Sequence, residues 1–242
     1  MKIETYAAHT HVTDKELRGK TVVVIDTLRA TSTIITALYN GAEQIYPVQS
    51  VEQAMDLAYQ MREQGVLLGG ERNAEKVQGF DLGNSPLEYM RRSIDGKSII
   101  LSTTNGTQAM QKAALAKDVY IGALLNGVTV ASALMHIAGD AVLLCAGTHG
   151  NYSMDDIITA GYIIYRMKGF NSQKEIEMDD LSASAYQLYK MKKDNLQQEL
   201  SMCTHYNVLK AKGMDEDLEY CLKRDTVRIL PVLREGRISV EG

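Results

Sequence analysis

Residues 21–34 read TVVVIDTLRATSTI, and this stretch decides the fold class. The β-branched apolar run TVVVID (21–26) predicts a buried strand, whereas TSTIITALYNG (31–41) carries apolar residues at the three- and four-residue spacing of a helix. Between them an acid, Asp26, ends the strand, and Arg29 lies in the turn. A strand, a polar turn and a helix in this order are typical of a βα unit.

The same pattern recurs along the first two thirds of the chain. Helical patterns separate five further apolar runs, which are QIYPV (44–48), VLLGG (66–70), SIILS (98–102), DVYIG (118–122) and AVLLCAG (141–147). Such alternation predicts βαβ units around a mostly parallel sheet that helices cover on both faces. We therefore expect an α/β fold with three layers, α/β/α.

The spacing of the runs also suggests a duplication. Ile25 and Leu101 lie 76 residues apart, Tyr46 and Tyr120 lie 74 apart, and Leu68 and Leu144 lie 76 apart. Two quasi-repeated βαβαβ halves would give this period, but regular βα units also give it by chance. We expect a single α/β body over residues 1–242, with sub-lobes at about 1–110 and 111–242 if the duplication is real.

The last third of the chain has a different character. Asp179 to Arg224 is polar and helix-prone, and VRILPVL (227–233) and RISV (237–240) read as closing strands. Runs such as KMKKDNLQQE (190–199) are typical of solvated helix faces, and nothing in this region points to catalysis on its own.

Composition excludes several classes of partner. The 242 residues hold 26 Lys and Arg against 30 Asp and Glu, a formal net charge of −4, which lacks the basic footprint of a nucleic-acid or membrane-surface binder. Three widely spaced cysteines form no disulfide framework, and the first residues lack the pattern of a signal peptide. The 21 uncharged residues from Val119 to Gly139 are broken by Asn126-Gly127 and read as strand, turn and buried helix. A cytoplasmic protein is the expectation.

Candidate functional residues follow the predicted strands, because ligands of open α/β sheets bind beyond the carboxyl ends of the strands. The first tip holds Asp26 and Arg29 with Thr31 and Ser32 at a helix start, which is typical of an anion site, although the hydroxyls could be helix caps only. The second tip repeats the acid and arginine as Glu71 and Arg72.

Two further tips are also polar. The turn Ser102-Thr103-Thr104-Asn105-Gly106 could form a backbone nest for an anion or be a plain turn. The fourth tip ends in the paired carboxylates Asp155 and Asp156, acids that a helix dipole alone would favour.

Three residues near these tips have no settled role. In GFDLGNSPLE (79–88) a capping box accounts for Ser85, Pro86 and Glu88, but not for Asp81 and Asn84. The roles of Asp81 and of His149, on the fourth tip, stay open.

Carboxylates from several tips beside two arginines favour phosphate chemistry. Oxygen ligands suit Mg²⁺, and a metal with arginines around an anion is typical of phosphoryl transfer. No P-loop is present, and Leu28 occupies the place of the second acid of a DxD phosphatase.

Six blocks of the sequence resemble the 2-phosphosulfolactate phosphatase family. They are VVVIDTLRATSTI (22–34), GGERN (69–73), GFDLGNSP (79–86), LSTTNGT (101–107), AGTHGNYSMDDIITAG (146–161) and GMDEDLEYC (213–221). The resemblance implies a Mg²⁺-dependent phosphatase of α/β/α fold that converts 2-phosphosulfolactate to sulfolactate and phosphate, a step of coenzyme M biosynthesis in methanogens. One departure is Ala74-Glu75-Lys76, where a glycine-rich continuation is expected.

We combine these lines in one hypothesis for the site. Its catalytic residues are Asp26, Arg29 and Arg72, and its metal ligands are Asp26, Glu71, Asp155 and Asp156. Arg29 would hold the phosphate, and Arg72 the sulfonate or carboxylate of the substrate. The substrate-binding residues are Thr31, Ser32, Asn84, Ser102, Thr103, Thr104, Asn105 and Gly106.

The hypothesis leaves the mechanism and the exact function open. The nucleophile is either a metal-activated water or Asp26 itself. A phosphatase of another small phosphate ester and a non-catalytic anion-binding module are the alternative functions. The expected partner is a small phosphorylated sulfonate, with a homodimer as a possible assembly.

Overall fold

The computed structural model describes residues 1–170 and 174–240. Its strands are β1 (Lys2–Tyr6), β2 (Thr21–Ile25), β3 (Gln44–Pro47), β4 (Leu67–Arg72), β5 (Glu75–Lys76), β6 (Ser98–Ser102), β7 (Asp118–Gly122), β8 (Ala141–Cys145), β9 (Glu177–Met178), β10 (Pro231–Arg234) and β11 (Arg237–Val240). Its helices are α1 (Asp14–Leu17), α2 (Ala30–Tyr39), α3 (Val51–Gln60), α4 (Arg91–Ile94), α5 (Gly106–Ala113), α6 (Gly127–His136), α7 (Met154–Gly169), α8 (Asp180–Lys192), α9 (Leu196–Leu200), α10 (Thr204–Ala211) and α11 (Asp215–Cys221).

Every apolar run singled out above forms a strand. Burial on both faces explains why these runs lack polar alternation: Val22 and Val24 pack into one core, whereas Val23 and Ile25 pack into another on the opposite face. Residues 119–139 contain β7, a short 3₁₀ turn and α6, as expected. Strand β1, in which buried and part-buried residues alternate, was not anticipated.

The strands form one sheet in the order β5-β4-β6-β3-β11-β10-β7-β2-β8-β1-β9. Two parallel blocks, β4-β6-β3 and β7-β2-β8-β1-β9, account for most of it. The antiparallel hairpin of β10 and β11 joins the blocks, and each of its strands meets its neighbouring block at a single residue pair.

Helices cover both faces of the sheet, so the three-layer α/β/α prediction is confirmed. On one face, α2 and α5 share a core with strands of both blocks, from Val22 and Val119 to Ile45 and Ile99. On the other face, α3 covers the first block and α6, α7 and α8 cover the second. Helices α2 and α5, which follow the polar tips after β2 and β6, therefore lie together in one layer.

The sheet order interleaves the two parts of the chain. Strands β1 and β2 lie in the block of β7 and β8, so residues 1–110 and 111–242 share one sheet. The strands matched by the period of 74 to 76 residues occupy equivalent places: β6 lies between β4 and β3, and β2 lies between β8 and β7. The duplication itself stays a prediction, and in such a duplication the two halves would have exchanged their first strands.

The apolar residues of the chain are used for this core. Among the described residues, no helix combines the length and the apolar composition that crossing a membrane would require.

Candidate active site

One cavity of about 330 Å³ lies where the carboxyl ends of both parallel blocks meet. Strands β2, β4, β6 and β8 deliver the turns that follow them, and α10 closes the opposite side. The cavity is lined by Asp26, Leu28, Arg29, Glu71, Asn73, Ala74, Asn84, Thr103, Thr104, Asn105, Thr148, His149, Thr204, His205, Val208, Leu209 and Lys212.

Asp26 is held rigidly at the end of β2. Its backbone carbonyl accepts the Thr31 hydroxyl (2.8 Å) and the Thr31 N–H (2.9 Å), and its carboxylate Oδ1 accepts the Ala30 N–H (3.1 Å). The turn therefore fixes the carboxylate at the start of α2 while it lines the cavity.

Glu71 joins two of the turns around the cavity. Its Oε1 accepts the N–H of Thr104 and its Oε2 accepts the N–H of Ala74, both at 2.8 Å. The carboxylate thereby ties the end of β4 to the turn that precedes α5. An ionised carboxylate has about four acceptor positions, so these two bonds leave capacity for a further ligand.

The turn before α5 brings backbone and side-chain polar groups to the cavity. Thr103 caps the helix, because its Oγ1 accepts the N–H of Thr107 (3.2 Å). Gly106 lets α5 begin directly against Asp26: an added Cβ would lie 2.7 Å from Asp26 Oδ2 and 2.6 Å from Ala30 Cβ. The N-terminus of α5 is thus placed beside the Asp26 carboxylate.

Two buried oxygen atoms near this turn have no hydrogen-bond partner within the described chain. They are Asn84 Oδ1 and Thr104 Oγ1, and both residues line the cavity. A buried polar oxygen without a hydrogen-bond partner is unusual, and a water or an ion commonly satisfies such a group.

Comparison with known proteins decides the family. The family model described as 2-phosphosulpholactate phosphatase matches residues 6–236. The chain is 41% identical over 241 residues to a probable 2-phosphosulfolactate phosphatase of Clostridium beijerinckii, covering 100% of each chain. It is 45% identical over 236 residues to a protein of the same name from Caldanaerobacter subterraneus subsp. tengcongensis, covering 98% of this chain and 97% of the relative.

The chain belongs to the 2-phosphosulfolactate phosphatase family. The resemblance of the six sequence blocks is thereby confirmed. Four of the blocks follow strands that end at the cavity, so the family motifs and the cavity turns coincide.

Burial is the main influence on the pKa of Asp26. Removal from water raises the pKa of Asp26 to about 7, Asp155 and Glu71 add to the rise, and His205 and the Ala30 N–H oppose it. A cation next to this carboxylate would favour its ionised form.

Arg29 reaches the cavity but already has a counter-charge. Its Nη1 donates to Asp217 Oδ2 (2.5 Å), its Nη2 donates to Ala74 O (3.3 Å), and the Arg29 and Asp217 side chains are 4% and 6% exposed. Asp217 Oδ1 accepts the Ser85 hydroxyl. Arg29 therefore contributes directed N–H donors to the cavity wall, whereas its charge is balanced within the protein.

Arg72 is not among the residues that line the cavity, so its assignment to the substrate stays a prediction without support from the cavity. Its Nη1 donates to the carbonyls of Glu71 (2.7 Å) and Ser102 (3.1 Å), and its Nη2 donates to Ser102 Oγ (2.9 Å) and Gln49 O (3.3 Å). The guanidinium clamps the ends of β4 and β6 together.

Asp155 and Asp156 also lie behind the cavity wall. Asp156 accepts the N–H groups of Thr27 (2.9 Å) and Gly147 (3.0 Å), and Asp155 accepts the N–H of Leu28 (3.2 Å) and the hydroxyl of Ser153. Burial raises the pKa of Asp156 well above its ordinary value, with the charges of Asp155 and Asp26 adding to the rise. The pair holds the turn after β2 through these bonds and is not among the residues that line the cavity, so its role as a metal ligand stays a prediction.

Three predicted substrate-binding hydroxyls have local partners instead. Thr31 Oγ1 donates to Asp26 O, Ser32 Oγ donates to Thr27 O (2.8 Å), and Ser102 Oγ accepts from Arg72. None of the three lines the cavity. Of the two residues left open, Asp81 accepts the Leu68 N–H away from the cavity, whereas His149 lines it.

The wall formed by α10 was missed at the level of sequence. It brings Thr204, His205, Val208, Leu209 and Lys212 to the cavity, and His205 Nε2 lies 2.8 Å from Leu28 O. A single histidine in a polar helix carries no local signal of a site. Asp217 lies in the block GMDEDLEYC, but the sequence does not mark it as a site residue, and its partner Arg29 lies 188 residues away in sequence.

No ready-made metal cluster accompanies these groups. Among residues 1–170 and 174–240, no three His, Cys, Asp or Glu side chains form a group that could hold a metal ion. Mg²⁺ is commonly bound by one or two carboxylates together with waters and substrate oxygens. Asp26 and the unpartnered oxygens of Asn84 and Thr104 offer donors of this hard type in one cavity.

Proposed function

We propose that the chain hydrolyses 2-phosphosulfolactate to sulfolactate and phosphate and that it requires Mg²⁺. The relatives that resemble it over their full length carry the name of this activity. The observation that carries the proposal is the convergence, in one cavity, of the Asp26 carboxylate with Glu71 and the N-terminal turn of α5.

The phosphate group of the substrate fits the start of α5. Free backbone N–H groups and the dipole of a helix N-terminus attract phosphate, and the turn Thr103-Thr104-Asn105 lines the cavity there. Arg29 uses two of its five N–H donors on Asp217 and Ala74 in these contacts, so others remain for phosphate oxygens. Asp26 faces the same space, where it can hold a cation or attack phosphorus.

The residues present fit a magnesium ion. Asp26 would bind it, and Asn84 Oδ1 and Thr104 Oγ1 would supply neutral oxygen donors or hold its waters. When bound, Mg²⁺ neutralises charge on the phosphate group and makes phosphorus more open to attack. Without a cation, a substrate with three anionic groups would meet the carboxylates of Asp26 and Glu71.

Two roles of Asp26 follow from this position and can be separated. If Asp26 is the nucleophile, its carboxylate displaces sulfolactate from phosphorus, and water then hydrolyses the aspartyl phosphate; if Asp26 instead holds the cation and water attacks phosphorus, no covalent enzyme forms. Asp26→Asn should lower turnover by at least about 10²- to 10⁴-fold in either case, with the fold retained. Acid-quenched enzyme carrying phosphate in the wild type and not in the variant assigns Asp26 as nucleophile.

Release of inorganic phosphate tests the proposed function. The purified chain is expected to release phosphate from 2-phosphosulfolactate with Mg²⁺, to stop in excess EDTA, and to recover when Mg²⁺ is restored. Full turnover with verified absence of metal would contradict the metal requirement. Faster turnover of another phosphate ester would favour that ester as substrate, and binding of sulfolactate and phosphate without turnover would favour an anion-binding module.

Other expectations rest on the proposed activity and stay predictions. They are a cytoplasmic location, a place in coenzyme M biosynthesis and assembly as a homodimer.

A further inference from the structure

The proposed substrate carries more negative charge than a simple phosphate ester. Besides the phosphate it has a carboxylate and a sulfonate on a three-carbon skeleton, so the cavity needs a partner for a second anionic group. The Arg29 charge is balanced by Asp217, and Arg72 is hydrogen-bonded to Ser102, Glu71 and Gln49 outside the cavity.

Lys212 is the other ammonium or guanidinium group among the described residues that line the cavity. It directly follows α10, on the wall opposite the strand ends. Its Nζ contacts Glu75 Oε1 in β5. Glu75 directly follows Ala74, which lines the cavity. The Lys212 side chain is 29% exposed, whereas that of Glu75 is 72% exposed.

The difference in exposure indicates how Lys212 can exchange Glu75 for a group of the substrate. An ion pair with a solvent-exposed carboxylate contributes little, because water and salt compete for both partners. A substrate oxyanion inside the cavity would be more shielded from water, so its contact with the ammonium would be stronger. Lys212 can therefore leave Glu75 for the substrate at little cost.

We infer that Lys212 is a specificity-determining residue that binds the second oxyanion of the substrate, with Glu75 as its partner in the empty site. The inference rests on the proposed function, since it takes the phosphate to lie at the start of α5. It gives Lys212 the role that the sequence suggested for Arg72.

Three substrates that each carry the phosphate on a secondary carbon can show which anionic group Lys212 binds. 2-Phosphosulfolactate carries both extra anions, 2-phospholactate carries only the carboxylate, and glycerol 2-phosphate carries neither. In Lys212→Met, kcat/KM for 2-phosphosulfolactate relative to glycerol 2-phosphate should fall roughly ten- to hundredfold, mainly through KM. An equal fall for 2-phospholactate assigns the contact to the carboxylate, and an unchanged value assigns it to the sulfonate.

Two further variants control for the loss of a positive charge and for the ion pair between Lys212 and Glu75. Lys210→Met removes a lysine from the same helix outside the cavity and should keep the wild-type ratio. Glu75→Gln removes the competing carboxylate and should lower KM for 2-phosphosulfolactate. The assignment would be overturned if Lys212→Met kept the wild-type ratio of kcat/KM for 2-phosphosulfolactate to kcat/KM for glycerol 2-phosphate. It would also be overturned if Lys210→Met lowered this ratio equally, or if Glu75→Gln raised KM for 2-phosphosulfolactate.

Calorimetry of sulfolactate binding tests the role of Lys212 independently of the proposed phosphatase activity. Lys212→Met should weaken this binding roughly ten- to hundredfold, whether or not the chain turns over phosphosulfolactate. If the wild type binds sulfolactate through Lys212 but releases no phosphate, the proposed function fails and the role of Lys212 stands. If the wild type turns over and sulfolactate binding is unchanged in the variant, Lys212 has no such role.

Discussion

At Gly106, the first residue of α5, the chain packs closely against the turn that follows β2. Its hydrogen in place of a side chain lets α5 begin against Ala30 and Asp26, and this contact puts the helix N-terminus beside the carboxylate. The sequence identified Gly106 as part of a nest, but only the structure shows that close packing is the reason for glycine.

Gly106→Ala should therefore impair turnover more than folding. The added methyl must push α5 away from Asp26, and overpacking of this kind typically costs about 1–3 kcal/mol of unfolding free energy. Gly139→Ala is the matched control, because nothing lies within 4 Å of its added Cβ. Urea unfolding and kcat measured on both variants check this, and equal kcat values would contradict a role for the contact.

Arg72 illustrates how far a residue's role can be predicted from sequence. The sequence predicts it at a strand end, and it is the last residue of β4, but the direction of its side chain depends on Ser102 and Gln49, which sequence does not place beside it. The same holds for Arg29 and Asp217. Asp26, Glu71 and the turn 103–105 were found because parallel strands bring their carboxyl ends to a common edge.

Arg72→Ala should lower activity on all substrates alike. Loss of the clamp between β4 and β6 should reduce the free energy of unfolding by roughly 1–3 kcal/mol, because Ser102 O and Oγ lose charged donors. Arg72→Lys keeps the charge but not the planar fork and should recover only part of the loss. If Arg72→Ala lowered kcat/KM for 2-phosphosulfolactate more than for glycerol 2-phosphate, Arg72 would instead be assigned to substrate binding.

At the scale of elements, the start of α7 holds the turn after β2 in place. Asp156 satisfies two buried N–H groups, one in that turn and one after β8. The start of α7 therefore connects the turns that follow the neighbouring strands β2 and β8. The paired acids, which suggested a metal site, stabilise these turns.

Asp156→Ala should lower the free energy of unfolding by roughly 2–5 kcal/mol, because it leaves both donors buried without acceptors. Asp156→Asn keeps one acceptor and should lose only about 1–2 kcal/mol. Denaturant titration checks the order of the two variants. Unchanged stability together with a large loss of Mg²⁺ affinity would instead return Asp156 to the metal ligands.

At the scale of the whole molecule, the sequence predicted the fold class well because the buried strands read as uninterrupted apolar runs. It could not predict the strand order, since the interleaving of β2 with β7 and β8 leaves no local pattern. The α10 wall was missed for a related reason: an amphipathic helix looks the same whether its inner face covers a core or a cavity.

The interleaved sheet predicts that a fragment of residues 1–116 will not fold cooperatively. It retains β4-β6-β3, but β1 and β2 would lack β7 and β8. Circular dichroism during urea unfolding of this fragment should show no sharp transition. Co-expression with residues 117–242 should restore one, and a cooperative transition in the fragment alone would contradict the expectation.

Synthesis on the ribosome gives the strand order a further consequence. β2 leaves the exit tunnel about 100 residues before β7 and about 120 residues before β8, so its apolar residues stay unpaired while β3 to β6 can already assemble. Pairing between segments so far apart in sequence is slow, and exposed strand edges invite aggregation in the meantime. The nascent chain should therefore depend on chaperones until about residue 145 has emerged, and slower translation before β7 should reduce the soluble yield.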